Sequence, residues 1–416
     1  MIFGNLLIYI ASFFGIYTTV FFLLTLLENQ QDITKKTTLK HFPTVSIIVP
    51  AWNEETTLGG TIKSLLKLDY PKEKLDIIIV DDGSTDKTKS IGEAFAKKYS
   101  NIRFYSKPNG GKHTALNLAL EQCKSEFVGC LDADSFVDSQ ALKRIIHFFE
   151  DDENIMAVTP SMKIHNPKTI LQHIQRIEFL VGILLRKVFA FLESIHVTPG
   201  PFTIYRKEFF DTHGVYKKAH QTEDIEIALR IQSKGYRIEN CIDAFVYTHG
   251  PKHFIPLKKQ RIRWYTGFLN NVLDYKELFG KKHGTLGLFI LPMSFISVGM
   301  VIVLGIYTVF KLLQTAFKSF FNFLAIHFDI FNLQWFTIDP FFISMKPVAI
   351  LGFVGLFMGI LLFIITKIKA RKNSCLDFLK LNKSSQKFTR TNNSHSFFFN
   401  INIFFTKYNL KTFFHF

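Results

Sequence analysis

The chain has 416 residues, of which 48% are hydrophobic and 47 are phenylalanine, and its formal net charge is +16. This length allows one sizeable domain plus membrane segments, and the basic residues cluster around apolar runs, which favours a membrane over a nucleic acid as the partner. The four cysteines show neither paired disulfide spacing nor a C-x-x-C metal pattern, so we expect a reduced, cytosolic main domain.

The first segment, Ile2 to Leu27, carries no charge and is long enough to cross a bilayer. It lacks the basic start, the short apolar core and the cleavage site of a signal peptide. Lys35, Lys36 and Lys40 follow it, so the positive-inside tendency puts its carboxyl end in the cytoplasm. We therefore predict a transmembrane anchor over residues 1–28.

From Thr44 onward, short β-branched runs alternate with amphipathic helices. The predicted strands are Val45–Val49, Leu75–Val80, Ile102–Tyr105 and Phe127–Leu131, and the predicted helices are Thr56–Leu68, Lys87–Tyr99 and Thr114–Gln122. Such alternation predicts an α/β fold with a mostly parallel central sheet that helices cover on both faces. We assign residues 29–283 to this domain.

The second half of the chain contains further apolar segments. Residues 168–194 carry an apolar stripe at helical spacing, which fits either a core helix or a helix in the membrane interface. Residues 284–372 form a predicted C-terminal membrane region, with spans at about 284–310 and 347–366. For residues 373–416, rich in Asn, Lys, Ser and Phe, we expect a poorly ordered extension or the product of a shifted reading frame.

The first two predicted strands each end in groups that suit a nucleoside. Pro50, Trp52 and Glu54 follow the first strand, where an aromatic ring can stack on a base and an acid can hydrogen-bond it. Asp81 and Asp82 follow the second strand and suit a ribose or a base. Both segments also fit ordinary turns that cap the next helix.

The next two junctions suit phosphate and metal. Lys112 lies in a glycine-rich basic loop that opens a helix, where backbone N–H groups and a mobile ammonium attract phosphate. Asp132 and Asp134 end the fourth strand, and two hard oxygen donors there suit Mg²⁺ or Mn²⁺, although Asp-x-Asp alone also fits a solvated turn. The chain has neither Walker P-loop spacing nor G-x-G-x-x-G after the first strand, which disfavours ATPases and dinucleotide folds.

Three later segments add candidates for chemistry. The turn Thr198-Pro-Gly-Pro-Phe202, with Gly200 at its centre, could line a substrate cleft. Glu223 and Asp224 begin a predicted helix, Ile225–Ser233, where the helix dipole favours acids and where a carboxylate can also take a proton from a hydroxyl.

The third segment, Gln260-Arg-Ile-Arg-Trp264, precedes the second predicted span. A basic juxtamembrane patch would require neither Gln260 nor Trp264. A site in which Arg263 binds a diphosphate and Trp264 stacks on a sugar would explain why Gln260, Arg263 and Trp264 occur together.

Together these motifs resemble the membrane-embedded family 2 glycosyltransferases of the GT-A fold, in particular processive synthases of the poly-N-acetylglucosamine synthase type. The matching segments occur in the family's order between about Thr44 and Leu273. They are Pro50 to Glu54, Asp81 to Ser84, Asp132 to Asp134, Thr222 to Asp224 and Gln260 to Trp264.

The resemblance implies an inverting enzyme that moves a sugar from a UDP-sugar, such as UDP-N-acetylglucosamine, onto a growing polysaccharide. It implies Mg²⁺ or Mn²⁺ bound through Asp134 with Asp132, a general base at Asp224 beside Glu223, and acceptor contacts from Gly200 and Trp264. It also implies nucleotide-sugar contacts from several motifs, namely Pro50, Trp52, Glu54, Asp81, Asp82, Lys112, Asp132, Gln260 and Arg263.

Two alternatives remain open from the sequence. One is a non-processive enzyme that adds a single sugar to a lipid carrier or another membrane acceptor, and the other is a membrane-tethered nucleotide-binding regulator. Trp52 stands where the family more often has tyrosine, and two prolines occupy the segment around Gly200. Under the favoured interpretation the protein is a multi-pass cell-membrane protein with a cytoplasmic catalytic domain, a polysaccharide or lipid-linked acceptor, an export partner and no nucleic-acid partner.

Overall fold

The computed structural model describes residues 2–29, 39 and 41–325. The predicted span at 347–366 and the predicted extension at 373–416 lie outside these residues.

The described residues form one sheet with helices on both faces. The strands are β1 (Val45–Ala51), β2 (Leu75–Asp82), β3 (Ile102–Lys107), β4 (Phe127–Cys130), β5 (Phe136–Val137), β6 (Ile155–Ile164), β7 (Ile204–Arg206) and β8 (Arg237–Thr248). The helices are α1 (Ile2–Glu28), α2 (Leu58–Leu66), α3 (Thr88–Lys98), α4 (Lys112–Gln122), α5 (Ala141–Ile146), α6 (Phe148–Asp151), α7 (Ile170–Phe191), α8 (Lys207–His213), α9 (Glu223–Ser233), α10 (Phe254–Asp274) and α11 (Leu291–Ala325).

The strand order is β3-β2-β1-β4-β7-β6-β8-β5. Strands β1 to β4 are mutually parallel, with Val45 in register with both Leu75 and Phe127. Strand β7 runs antiparallel between β4 and β6, whereas β6 and β8 are parallel to each other. The prediction of an α/β fold with a mostly parallel sheet is therefore confirmed.

Alternating side chains of the central strand fill the two layers of the core. Ile47 and Val49 point to one face, where they pack with Leu58 and Ile62 of α2. Ile48 points to the opposite face, in the layer that contains Leu116 of α4. Both faces are buried because β1 is nearly continuous in apolar residues, as expected for a parallel strand between helices.

Several element boundaries differ from the predicted ones, and the changes at β2 and α9 involve pairs of acidic candidate site residues. Strand β2 continues past Val80, because Asp81 and Asp82 pair with the end of β3. Helix α9 begins at Glu223 instead of Ile225, so both acids of this motif lie in its first turn. The apolar pattern from which each element was predicted does not include these polar residues.

Among the residues that the structure describes, two helices are long and apolar enough to be candidate membrane spans, at Tyr9–Glu28 and Leu286–Lys318. The second exceeds the predicted 284–310 because the helix continues through Lys311 to the end of α11. A single lysine limits the apolar stretch but does not end a helix.

The N-terminal helix packs against the rest of the described chain. Leu26 of α1 is buried with Leu184 and Val188 of α7. The rings of Phe22 and Phe189 lie 5.6 Å apart and nearly perpendicular. Helix α1 is therefore part of the packed structure around α7.

Helix α7 has an apolar stripe that is exposed in its first half and buried in its second half. It begins with a capping box between Thr169 and Gln172. The side chains near its carboxyl end are buried, whereas Ile170 and Ile174 are 82% and 57% exposed. We predicted that this stripe belongs either to a core helix or to a helix in the membrane interface. The burial fits a core helix only in the second half of α7.

Candidate active site

A cleft of about 780 Å³ brings together predicted site residues from five separate segments. Its walls include Lys112, Asp132, Asp134, Gly200, Glu223, Asp224, Gln260, Arg263 and Trp264. Thr18 and Phe22 of α1 and Met293, Ser294, Ser297 and Val298 of α11 also line it. Pro50, Trp52, Glu54, Asp81 and Asp82 are not among the residues that line this cleft.

One ammonium group joins the two acidic sides of the cleft. Lys112 Nζ lies 2.7 Å from Asp132 Oδ1 and 3.1 Å from Glu223 Oε1. Burial disfavours its charge, but Asp132 and Glu223 outweigh that effect and hold the pKa of Lys112 well above its usual value. A Cβ at Gly200 would lie 2.8 Å from Lys112 Nζ and 3.3 Å from Asp132 Oδ2, so this ion pair would have to shift to accept a side chain there. The glycine thus lets the 198–202 turn approach this ion pair.

Asp224 has the properties of a proton acceptor. Thr198 fixes its backbone, since the Thr198 N–H and Oγ1 both donate to the Asp224 carbonyl at 3.1 and 2.8 Å. Tyr205 OH donates in turn to Thr198 Oγ1 at 3.0 Å. Burial, and then the charge of Glu223, raise the pKa of Asp224 to about 7. A carboxyl with this pKa can exchange a proton near neutral pH.

Asp134 is a half-buried carboxylate without a cationic partner among the described residues. Its Oδ1 accepts a hydrogen bond from Ser135 Oγ at 3.0 Å. Burial, and then the charge of Asp132, raise the pKa of Asp134 to about 6. A divalent cation would neutralise two neighbouring carboxylates of this kind, so the donor set fits Mg²⁺ or Mn²⁺. No group of three or more His, Cys, Asp or Glu that could hold a metal ion occurs in the described part of the chain, so water or ligand oxygens would complete the coordination.

The two acids that end β2 hold neighbouring loops. Asp81 accepts hydrogen bonds from Ser84 N and Ser106 Oγ at 3.2 and 2.9 Å. Asp82 accepts from Lys107 Nζ, Gly110 N and Gly111 N at 2.5, 3.1 and 2.9 Å. The carboxylate of Asp82 therefore organises the glycine-rich loop. Two of the backbone N–H groups that we predicted to bind phosphate, those of Gly110 and Gly111, donate to Asp82 instead.

The segment after β1 is tied to the segment after β2. Asn53, in the left-handed region at φ 56°, donates from its backbone N to Ser84 Oγ and accepts from Thr85 N. Glu54 accepts from Thr57 Oγ1. Trp52 follows Pro50 and is 57% exposed, so its ring is accessible to a stacking partner.

Helix α10 contributes a cationic and aromatic group to the cleft. Arg261 lies over the Trp264 ring at 4.3 Å and pairs with Glu178 of α7 at 2.7 Å. Arg263 Nη1 donates to the Gln221 carbonyl at 3.0 Å. Gln260 lines the same cleft, so the motif acts as one face of the helix.

The sequence predictions did not include two residues of the site. Thr198 belongs to a turn that we predicted to line a substrate cleft, but its own role, donating to the Asp224 carbonyl, was not predicted. Arg186 of α7 lines the cleft and donates to the Pro160 carbonyl at 3.3 Å, and burial lowers its pKa to about 10. An arginine in the helix that carries the apolar stripe was the available signal for Arg186, and no local signal pointed to Thr198.

Residues 46–214 match the family model described as Glycosyl transferase family 2. A poly-beta-1,6-N-acetyl-D-glucosamine synthase from Staphylococcus aureus (strain COL) is 31% identical over 274 residues, which cover 64% of this chain and 66% of that protein. The protein of the same name from Staphylococcus epidermidis is 31% identical over 270 residues, covering 63% and 65%. The matched region thus spans slightly less than two thirds of these relatives.

A solved structure of the mannosyltransferase PcManGT from Pyrobaculum calidifontis, in complex with GDP-Man and Mn²⁺, superposes with a TM-score of 0.50. The two chains are 21% identical, and the match covers 65% of this chain and 76% of that one. This likeness concerns the fold. The chain therefore contains a glycosyl transferase family 2 domain and is built on the GT-A fold of glycosyltransferases.

Proposed function

We propose that this protein is an inverting membrane glycosyltransferase that moves N-acetylglucosamine from UDP-N-acetylglucosamine onto a growing polysaccharide. The observation that carries the proposal is the Asp224 carboxyl, whose raised pKa of about 7 occurs in the cleft that Asp132 and Asp134 also line. The sugar and the polymeric acceptor are supported by the names of the two staphylococcal relatives.

Transfer requires one proton acceptor and a stabilised leaving group. Asp224 takes the proton of the acceptor hydroxyl while the hydroxyl oxygen bonds to the anomeric carbon of the sugar. The bond from that carbon to the diphosphate oxygen breaks on the opposite face, and UDP leaves with the electron pair. The configuration at the carbon is therefore inverted.

Positive charge in the cleft favours departure of the diphosphate. Lys112 and Arg263 both line the cleft. Lys112 also pairs with Glu223, and Arg263 also donates to the Gln221 carbonyl. Their guanidinium and ammonium groups are suited to the negative charge that develops on the leaving UDP. No acid is needed to protonate it.

Asp134, with Asp132, would hold a divalent cation. When bound, such an ion neutralises negative charge on the leaving diphosphate. The half-buried Asp134 carboxylate and its acidic neighbour support this role, as does the Mn²⁺ in the Pyrobaculum calidifontis structure. We still predict that the nucleoside of UDP is contacted by Glu54, Asp81 and Asp82.

The protein is a multi-pass membrane protein in this proposal, with α1 and α11 as spans and the catalytic domain in the cytoplasm. Helix α7 would lie at the membrane interface along its exposed first half, where Ile170 and Ile174 face away from the core. The contact of this helix with α1 through Val188 and Leu26 supports such a position.

Asp224→Asn should lower the rate of transfer by about 10²–10⁴-fold, because an amide cannot accept the hydroxyl proton. The rate is measured as UDP released and polymer formed from UDP-N-acetylglucosamine, with the full chain in nanodiscs. UDP binding should persist, and Asp211→Asn, an exposed aspartate on α8, should match the wild type. Polymer formation by Asp224→Asn at the wild-type rate would sink the assignment, and single additions by the wild type would favour the non-processive alternative.

The pH dependence of kcat/KM follows from the raised pKa of Asp224. Since the protonated carboxyl cannot act as a base, kcat/KM should rise with pH up to about 7 and then level off. Glu223→Gln should move the midpoint to lower pH, because it removes a negative charge that raises this pKa. An unchanged midpoint in Glu223→Gln would contradict the assignment of the titration to Asp224.

Chelation with EDTA should abolish transfer, and added Mn²⁺ or Mg²⁺ should restore it. Asp134→Asn should weaken Mn²⁺ binding in the presence of UDP, measured by electron paramagnetic resonance, because one anionic ligand is lost. Asp211→Asn again provides the matched control. Equal Mn²⁺ affinity in Asp134→Asn and the control would rule out Asp134 as a ligand.

The position of α7 can be tested with a bimane label at Ile174→Cys in a Cys375→Ser background. Nitroxide lipids should quench this label in nanodiscs, whereas a label at Lys89→Cys, exposed on α3, should be quenched much less. Similar quenching at both sites would show that the first half of α7 does not lie in the interface.

A further inference from the structure

The segment just before the candidate base has an unusual backbone. Ala219, His220 and Gln221 all lie in the left-handed region, with φ of 43°, 52° and 63°. Residues with a side chain adopt this conformation at an energetic cost, and they do so where the surroundings enforce it. This left-handed turn leads directly into Thr222 and the first turn of α9, which carries Asp224.

Helix α10 holds the left-handed turn in place. Asn271 Nδ2 donates to the Ala219 carbonyl at 3.2 Å and to Thr222 Oγ1 at 2.8 Å. Arg263 donates to the Gln221 carbonyl, and His220 Nε2 lies 3.0 Å from Asp274 Oδ2 at the surface. Of these α10 side chains, Asn271 is the buried one, at 1% exposure.

The packing around Thr222 leaves little freedom at this contact. A side chain at Gly267 of α10 would overlap the Thr222 side chain, so glycine allows the helix to approach. Thr222 Oγ1 also donates to the Ala219 carbonyl at 3.0 Å. Asn271 Nδ2 has a third acceptor in the Gly267 carbonyl at 2.8 Å, while its Oδ1 has no hydrogen-bond partner in the described part of the chain.

The amide nitrogen of Asn271 determines what this side chain joins. The N–H side of the amide reaches Ala219, Thr222 and Gly267, and these contacts join the α10 backbone to the entrance of α9. Asn271 lies outside the residues that line the cleft, so bound donor would leave its contacts in place, whereas Arg263 lines the cleft itself.

We propose that Asn271 is a positioning residue for sugar transfer: it acts through the left-handed turn and Thr222 to hold Asp224 in the cleft. This inference rests on the proposed function, since it concerns the base of the same reaction. It also makes α10 a shared support, because Gln260 and Arg263, predicted to contact the nucleotide sugar, and Trp264, predicted to contact the acceptor, belong to the same helix.

Asn271→Ala should lower kcat by on the order of 10²-fold, as expected for a displaced reactive group, and leave the KM for UDP-N-acetylglucosamine nearly unchanged. Adding Ala219→Gly should recover part of kcat, because glycine adopts the left-handed conformation without the penalty of a side chain. Asn270→Ala provides the matched control on the same helix, and it should behave like the wild type. All variants are compared as full chains in nanodiscs, with UDP binding as the test of folding.

A wild-type kcat in Asn271→Ala would overturn the inference. It would also be overturned if Asn271→Ala binds UDP, is slow, and gains nothing from Ala219→Gly. If Asn271→Ala does not bind UDP, the same comparison is made with Asn271→Leu, which keeps the volume of the side chain but has no donor, and the same two outcomes decide. A wild-type chain that transfers no sugar would overturn the proposed function as well, whereas an active wild type with an unaffected Asn271→Ala overturns this inference alone.

Discussion

The cleft depends on one ammonium group surrounded by acids. Asp132 and Asp134 on the sheet side and Glu223 and Asp224 on the helix side would repel one another strongly in a partly buried site. Lys112 lies between the two pairs and contacts one member of each. The acids that it contacts are Asp132 and Glu223, and in our proposal Asp134 is thereby left for a cation and Asp224 for a proton. The ion pairs of Lys112 thus divide the four carboxylates into two that contact the ammonium group and two that do not.

The same residue type has different roles at successive strand ends. Asp82 uses both carboxylate oxygens to fix the loop before Lys112, and that loop determines where the Lys112 backbone starts α4. Asp134, two strands away, has only Ser135 as a hydrogen-bond partner among the described residues. Acids after parallel strands are therefore a weak guide to ligand contacts until their hydrogen bonds are known.

Much of the fold could be predicted because its signals are local. The β-branched runs that start at Val45 and Leu75 are buried on both faces, and the pattern identifies them as strands of a parallel sheet. The antiparallel insertion of β7 beside β4 depends on distant pairing and was not foreseen. Motif residues such as Asp224 were identified, whereas Thr198 and Asn271 were not, because their importance comes from contacts across 26 and 49 residues of sequence.

The N-terminal helix contributes Thr18 and Phe22 to the wall of the cleft and buries Leu26 against α7. A helix of this kind differs from a tether, whose length and sequence can vary without affecting the domain that it holds. If residues 2–28 were cut away to obtain a water-soluble enzyme, one wall of the cleft would be missing and an apolar strip on α7 would be uncovered. Preparations that lack this helix would therefore contain an altered cleft.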